Sequence, residues 1–327
     1  MKIVIIGCGQ IGSRHLQAIV KLKENLGIQV VEPNKEAQKV GKKRLKEALE
    51  VVPEKHAVKI EWLENINQVS NIADLAIVAT TAKGRLKTID RLFRIGHKRF
   101  LVEKMVCQST KGYEKLLESF DKYKAKGWVD CTRRYYPFYQ KIIKLVNKES
   151  PIVFNVTAGN QGLGCNAIHF LDLFGALTQN PQGIKLNGDY LSPKLLPNKR
   201  GNDFVEFAGT IMGKIDNNFA SITFHPESDA GITVNILSKN TRTFVDEGNR
   251  KALLATKQNN WRWEKFAFKE LYTSDLTTEI AKSIIKNDTC KLFTIQDSYY
   301  FHKELFRIFN QHIKSVTGKN VTICPIT

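Results

Sequence analysis

Hydrophobic and polar positions follow two regimes along this chain. Through the first 130 residues, short apolar runs alternate with longer amphipathic stretches. The runs at 3–6, 28–31, 57–62, 75–79, 99–102 and 128–130 read as strands. The stretches at 15–26, 34–49, 83–95 and 111–126 read as helices. Asn34 is placed to cap the second of these, and Gly27, Gly96 and Gly127 stand as stops. Strands alternating with helices predict a parallel sheet covered on both faces. From Pro151 onward the regime changes. Segments 152–158, 204–215, 219–224, 231–237 and 242–246 are strand-like with few helices between them, which predicts a large open, mainly antiparallel sheet. Helical spacing returns at 166–177 and 297–316. The expected class is α/β, with one domain over 1–131 and an α+β domain over 132–327.

The first apolar run leads into Gly7-Cys8-Gly9-Gln10-Ile11-Gly12. Three glycines at this spacing, between a strand and a helix, form the turn that cradles a dinucleotide pyrophosphate in a doubly wound Rossmann sheet. Glu32 follows Gly12 by twenty positions, at the end of the second strand. A carboxylate there accepts hydrogen bonds from the adenosine ribose and repels a 2′-phosphate, so the expected cofactor is NAD, with NADP disfavoured. Thr80, Thr81, Glu103 and Lys104 also fall at the carboxyl ends of strands, where such sheets bind ligands.

Composition narrows the picture further. The 327 residues suffice for two cores. No apolar stretch approaches a membrane span, and the start lacks the pattern of a signal peptide, so a cytoplasmic protein with no membrane partner is expected. The six cysteines show no paired spacing, which argues against a structural metal and against a disulfide framework. The formal net charge is +18. The lysines are spread along the chain without a nucleic-acid motif, so no specific nucleic acid is expected; a basic surface also attracts anionic cofactors and substrates.

Taken in order, GCGQIGSRH at the start, IVATT after the fourth strand, VEKMVCQS at 102–109, CTRRYYP at 131–137 and NAIHFLDLF at 166–174 resemble the glucose–fructose oxidoreductase, inositol dehydrogenase and MocA (Gfo/Idh/MocA) family. Met105 stands in place of the proline of the family's E-K-P motif, and Arg85 where many members have histidine. Cys165 and Ala167 replace residues often seen as Asp and Gly. The resemblance implies a dehydrogenase or reductase acting on CH–OH groups of a sugar, cyclitol or nucleotide sugar. It assigns Lys104 beside the nicotinamide, where an ammonium stabilises alkoxide charge. It assigns His169 as the group that takes the hydroxyl proton, and Asp172 to orient His169 or bind a hydroxyl. Gly7, Cys8, Gly9, Gln10, Ile11, Gly12, Glu32, Thr80, Thr81 and Glu103 are the expected cofactor residues. Arg134, Tyr136 and Asn166 are the expected substrate contacts, with no metal. A homo-oligomer, dimer or tetramer, formed through the C-terminal sheet is also implied. Two other readings within the family stay open: a non-catalytic protein that binds NAD or a sugar and signals to a partner, and an NAD-dependent glycosidase.

Overall fold

The structure, a computed structural model, describes every residue except 52–56, 148 and 270. The chain forms two compact units. The first comprises Met1–Cys107, Lys111–Thr132 and Leu271–Ile295; the second comprises Gln108–Thr110, Arg133–Glu270 and Gln296–Thr327.

The first unit runs β1 (Lys2–Ile6), α1 (Gly12–Ile19), β2 (Leu26–Val31), α2 (Lys35–Leu49), β3 (Val58–Leu63), β4 (Leu75–Val78), α3 (Arg85–Ile95), β5 (Arg99–Val102), α4 (Thr110–Lys122) and β6 (Lys126–Val129). All six strands are parallel, in the order β3-β2-β1-β4-β5-β6. This is the predicted Rossmann sheet. Strand order reverses between β1 and β4, and the carboxyl ends of these strands border the switch point. The four residues of β4 and Ile3–Ile6 of β1 are fully buried, as central parallel strands must be. Asn34 Oδ1 accepts the Ala37 N–H at 2.9 Å and so caps α2. Gly96 closes α3 at φ 111°.

Two helices end earlier than their periodicity predicts. The helix expected over 15–26 stops at Ile19, and Leu26 and Gly27 join β2, with Gly27 paired to Lys2. The helix expected over 111–126 stops at Lys122, and Gly127 sits in β6 opposite Phe100. Gly127 is a packing glycine. A Cβ there would lie 2.6 Å from Ile295 and 2.7 Å from the Phe120 ring. Phe120 and Phe100 meet Phe93 edge-on, forming the aromatic centre on that side of the sheet.

The second unit contains α5 (Pro137–Leu145), β7 (Val153–Ala158), α6 (Leu163–Thr178), β8 (Lys185–Leu191), β9 (Leu196–Pro197), β10 (Val205–Glu206), β11 (Gly209–Ile215), β12 (Asn218–Phe224), β13 (Thr233–Leu237), β14 (Thr241–Asp246), β15 (Lys251–Thr256) and β16 (Glu264–Ala267). Eight strands form one sheet in the order β16-β15-β14-β13-β7-β12-β11-β8. It is mainly antiparallel, as expected, with β7 and β12 parallel. The strand expected over 204–215 is interrupted at Phe207 and Ala208; Phe207 O accepts the Leu163 N–H at the start of α6, so this stretch leaves the ladder. One sheet face packs on α6. The other shows rows of polar pairs, such as Thr157–Thr233 and Thr210–Thr223. These are interspersed with exposed Met212, Phe219, Leu237 and Phe244.

After β16 the chain re-enters the first unit as α7 (Thr273–Asn287), a helix the periodicity did not reveal. It packs on α1, and Thr278 Oγ1 donates to Ala18 O at 2.7 Å. The last helix, α8 (Ile295–Thr317), carries Phe309 stacked on Phe207 within the second unit.

Candidate functional site

In the first unit the glycine turn has the geometry of a phosphate cradle. Gly7 adopts φ +84°, and its missing side chain lets Ala79 and Thr80 pass at 3.1 Å from where a Cβ would be. A Cβ on Gly12 would lie 1.9 Å from Gly7 O, so no other residue fits there. Around Gly9 nothing comes within 4 Å of a Cβ position, which leaves open space over the N-terminus of α1. Glu32 sits at the end of β2, nearly buried. Its Oε2 accepts the Cys8 N–H at 2.6 Å and its Oε1 the Asn34 N–H at 2.9 Å. Each carboxylate oxygen has a further lone pair, so the group can still accept ribose hydroxyls. An open cradle and an oriented carboxylate fit a dinucleotide with a free ribose. The Cys8 thiol itself is buried beneath α2, and that burial, aided by Glu32, pushes it up to about 12. Cys8 thus contributes its backbone N–H, through Glu32.

Arg44 was not among the expected residues. It projects from α2 and donates to Gln10 O, Gln10 Oε1 and Ser13 Oγ. It places a guanidinium on the glycine turn and takes up the Gln10 side chain. Its position on a Lys-rich helix hid it from sequence reasoning.

At the ends of β4 and β5, Thr80, Thr81, Glu103 and Lys104 share the carboxyl edge with the glycine turn. Thr81 is exposed, whereas Thr80 and Lys104 are half-buried. Glu103 faces inward. His15, fully buried in α1, brings Nε2 to 3.2 Å from Glu103 Oε1 and 3.6 Å from Asp130 Oδ2. Burial raises the Glu103 carboxyl, but the His15 imidazole, Asp130 and Lys104 outweigh it and hold the group down at about 2. Glu103 therefore anchors the strand end beneath Lys104, and its carboxylate is engaged by protein groups. His15 and Asp130 were missed as site residues because nothing in a lone His or Asp signals that a third strand end lies beside it.

In the second unit, α6 carries the expected catalytic and substrate residues. Cys165, Asn166 and His169 are half-buried in the first two turns of a helix that is buried over most of its length. The Asn166 amide donates to Gln161 O and Gly162 O, which leaves its carbonyl oxygen to meet a ligand. Asp172 lies deeper, 1% exposed. Its Oδ1 pairs with Arg134 Nε at 3.0 Å, and Arg134 is itself buried. Burial pushes Asp172 up to about 7 against the pull of that guanidinium. Arg134 and Asp172, expected as a substrate contact and a partner of His169, are thus brought to each other. Tyr136 is half-buried and stacks on Tyr139, whose hydroxyl donates to Glu247 at 2.8 Å.

A cavity of about 510 Å³ opens beside the first turn of α6, lined among others by Cys165, Asn198, Arg200 and Glu206. Glu206 accepts from Asn198 Nδ2 and the Cys165 N–H, and so occupies the positive end of the helix. Gly162 and Gly164 make room for it; a Cβ on either would lie under 3 Å from the carboxylate.

Residues 1–131 match the family model described as an oxidoreductase family with an NAD-binding Rossmann fold. No curated protein matches the sequence. Among solved structures, the UDP-N-acetylglucosamine 3-dehydrogenase GnnA from Acidithiobacillus ferrooxidans is similar at TM-score 0.70 and 14% identity, covering 94% of this chain and 96% of that one. GenD2 from gentamicin A biosynthesis, in complex with NAD, is similar at 0.71 and 12%, covering 99% and 96%. A super-repressor mutant of Gal80p from Saccharomyces cerevisiae is similar at 0.71 and 12%, covering 96% of each chain. At these identities the likeness is one of fold.

Proposed function

We propose, from the premise that residues 1–131 belong to the Gfo/Idh/MocA family of NAD-binding domains, that this protein is an NAD-preferring oxidoreductase. It moves a hydride between nicotinamide and a hydroxyl-bearing carbon of a sugar, cyclitol or nucleotide sugar. The observation that carries this reading is a convergence at one sheet edge. The open glycine cradle follows β1, the ribose-accepting Glu32 follows β2, and Lys104 follows β5. NAD supplies the redox chemistry when bound. Gly7, Gly9 and Gly12 admit its pyrophosphate, and Glu32 accepts its ribose hydroxyls. Lys104 donates to the reacting oxygen and stabilises alkoxide charge. His169, on the accessible side of α6, takes the hydroxyl proton. Self-association through the outer sheet face is part of the same reading, supported by exposed Met212 and Phe219 on β11 and β12 and Leu237 and Phe244 on β13 and β14, two strand pairs separated by β7.

One observation favours a second reading, a protein that binds but does not catalyse. The Asp172 carboxylate is held by Arg134. Incubation with NADH carrying deuterium at the transferable position, against a panel of keto-sugars and nucleotide keto-sugars, separates the two. Deuterium in a sugar product supports the oxidoreductase. Tight NADH binding with no transfer to any panel member supports the binding protein.

A further inference from the structure

A buried cation holds the backbone carbonyls that flank Lys104. Arg85 opens α3, yet its side chain is 1% exposed. Its Nη1 donates to both Glu103 O and Met105 O, the carbonyls on either side of Lys104. Its Nη2 donates to Thr80 O, in the loop after β4. All three acceptors lie at the carboxyl edge of the parallel sheet, on both sides of the β4–β5 seam. A guanidinium is the side chain that can do this. It is planar, presents several donors in a fixed fork and keeps its charge when buried. Lysine would bring a point charge to the same space without the fork. Desolvating a cation is costly, and three carbonyls offset that cost while drawing two loops together.

We propose that Arg85 is a positioning residue for Lys104: its fork ties the carbonyls of the two residues flanking the lysine, Glu103 and Met105, to the Thr80 loop and so sets where the ammonium stands. This rests on the reading of Lys104 as the group beside the nicotinamide. Displacing a reacting group by about 1 Å costs on the order of a hundredfold, which is the scale of effect such a clamp can have.

The test needs no substrate. NADH and ADP-ribose, which lacks the nicotinamide, are titrated against the intact protein, and labelling of Lys104 by an amine-reactive reagent is followed by peptide mass spectrometry with and without each ligand. In the unmodified protein, NADH but not ADP-ribose should slow Lys104 labelling. In Arg85→Lys, ADP-ribose affinity should stay within about twofold, while NADH protection of Lys104 falls by about tenfold. In Arg85→Ala, added ethylguanidinium should restore protection. Undiminished protection in folded Arg85→Lys and Arg85→Ala overturns the positioning role. So does unfolding of both variants by circular dichroism, which would assign Arg85 to the fold. Failure of the unmodified protein to bind either ligand would instead overturn the functional reading beneath it.

Discussion

His15 Nδ1 lies 2.8 Å from Thr277 Oγ1, across 262 residues of sequence. The threonine hydroxyl donates its proton to Thr273 O at 2.9 Å, so towards His15 it acts as acceptor. The His15 Nδ1–H therefore donates to Thr277, and the ring is turned so that Nε2 faces Glu103 and Asp130. A helix from the far end of the chain thus orients the ring of a residue in the first helix. Thr277→Val keeps the shape and removes the acceptor. It should cost about 1–2 kcal/mol, read as a lower urea midpoint with an unchanged slope.

Lys104→Ala should lower turnover by about a hundredfold or more, since an electrostatic contact made to developing charge is lost. NADH binding, followed by fluorescence, should change little. Turnover equal to that of the unmodified protein would remove Lys104 from the chemistry.

Glu32→Ala deletes the acceptor held by the Cys8 and Asn34 amides. NADH affinity should fall by about tenfold, the order expected for a lost charged hydrogen-bond partner, and NADPH should bind as well as NADH or better. Parallel titrations check this, and a native preference for NADPH would contradict it.

Acid should destabilise the first unit in two stages. His97 is buried, its Nδ1 accepts the Ala73 N–H, and burial pushes it from 6.5 down to about 4. The unfolded chain therefore takes up a proton first, and the stability it contributes falls as pH drops from about 6.5 to 4, by about 3 kcal/mol. Glu103 is held at about 2, so its contribution is full above 4.5 and drains away as pH falls towards 2. Urea midpoints across this range should show the first step, and His97→Gln should flatten it.

On the outer sheet face, Phe219→Asp and Leu237→Asp should shift the protein to a smaller species in light scattering and leave the melting temperature of the monomer nearly unchanged. Both side chains are about half exposed in the isolated chain. An unchanged mass in both variants would argue against assembly through this face.

Much of the first unit was legible in the residues because its signals are local. Asn34 caps α2 where the sequence places it, and Gly96 stops α3. The same rule misled at Gly27 and Gly127, since a glycine that ends a helix and one that lets a strand pack look alike in sequence. The tight glycine turn after β1 and the place of Glu32 at the end of β2 were readable from spacing alone. The partners that hold the site in place were not: Thr277, Arg85, Arg134 and Glu206 act through contacts that only the folded chain creates. Arg134 and Asp172 show this most directly. The sequence points to Arg134 as a substrate contact and to Asp172 as a group that orients His169 or binds a hydroxyl, and burial joins them as a pair.

The return of α7 to the first unit sets an order on biosynthesis. A ribosome that has released residues 1–132 has not yet made Leu271–Ile295, so the surface of α1 that receives this helix must wait through the whole of β7 to β16. Domains generally mature as units while they emerge. Here the unit with the parallel sheet begins first and is completed after most of its neighbour has been synthesised. An expressed fragment ending near 131 would carry every glycine of the cradle but leave His15 without the hydroxyl that orients it.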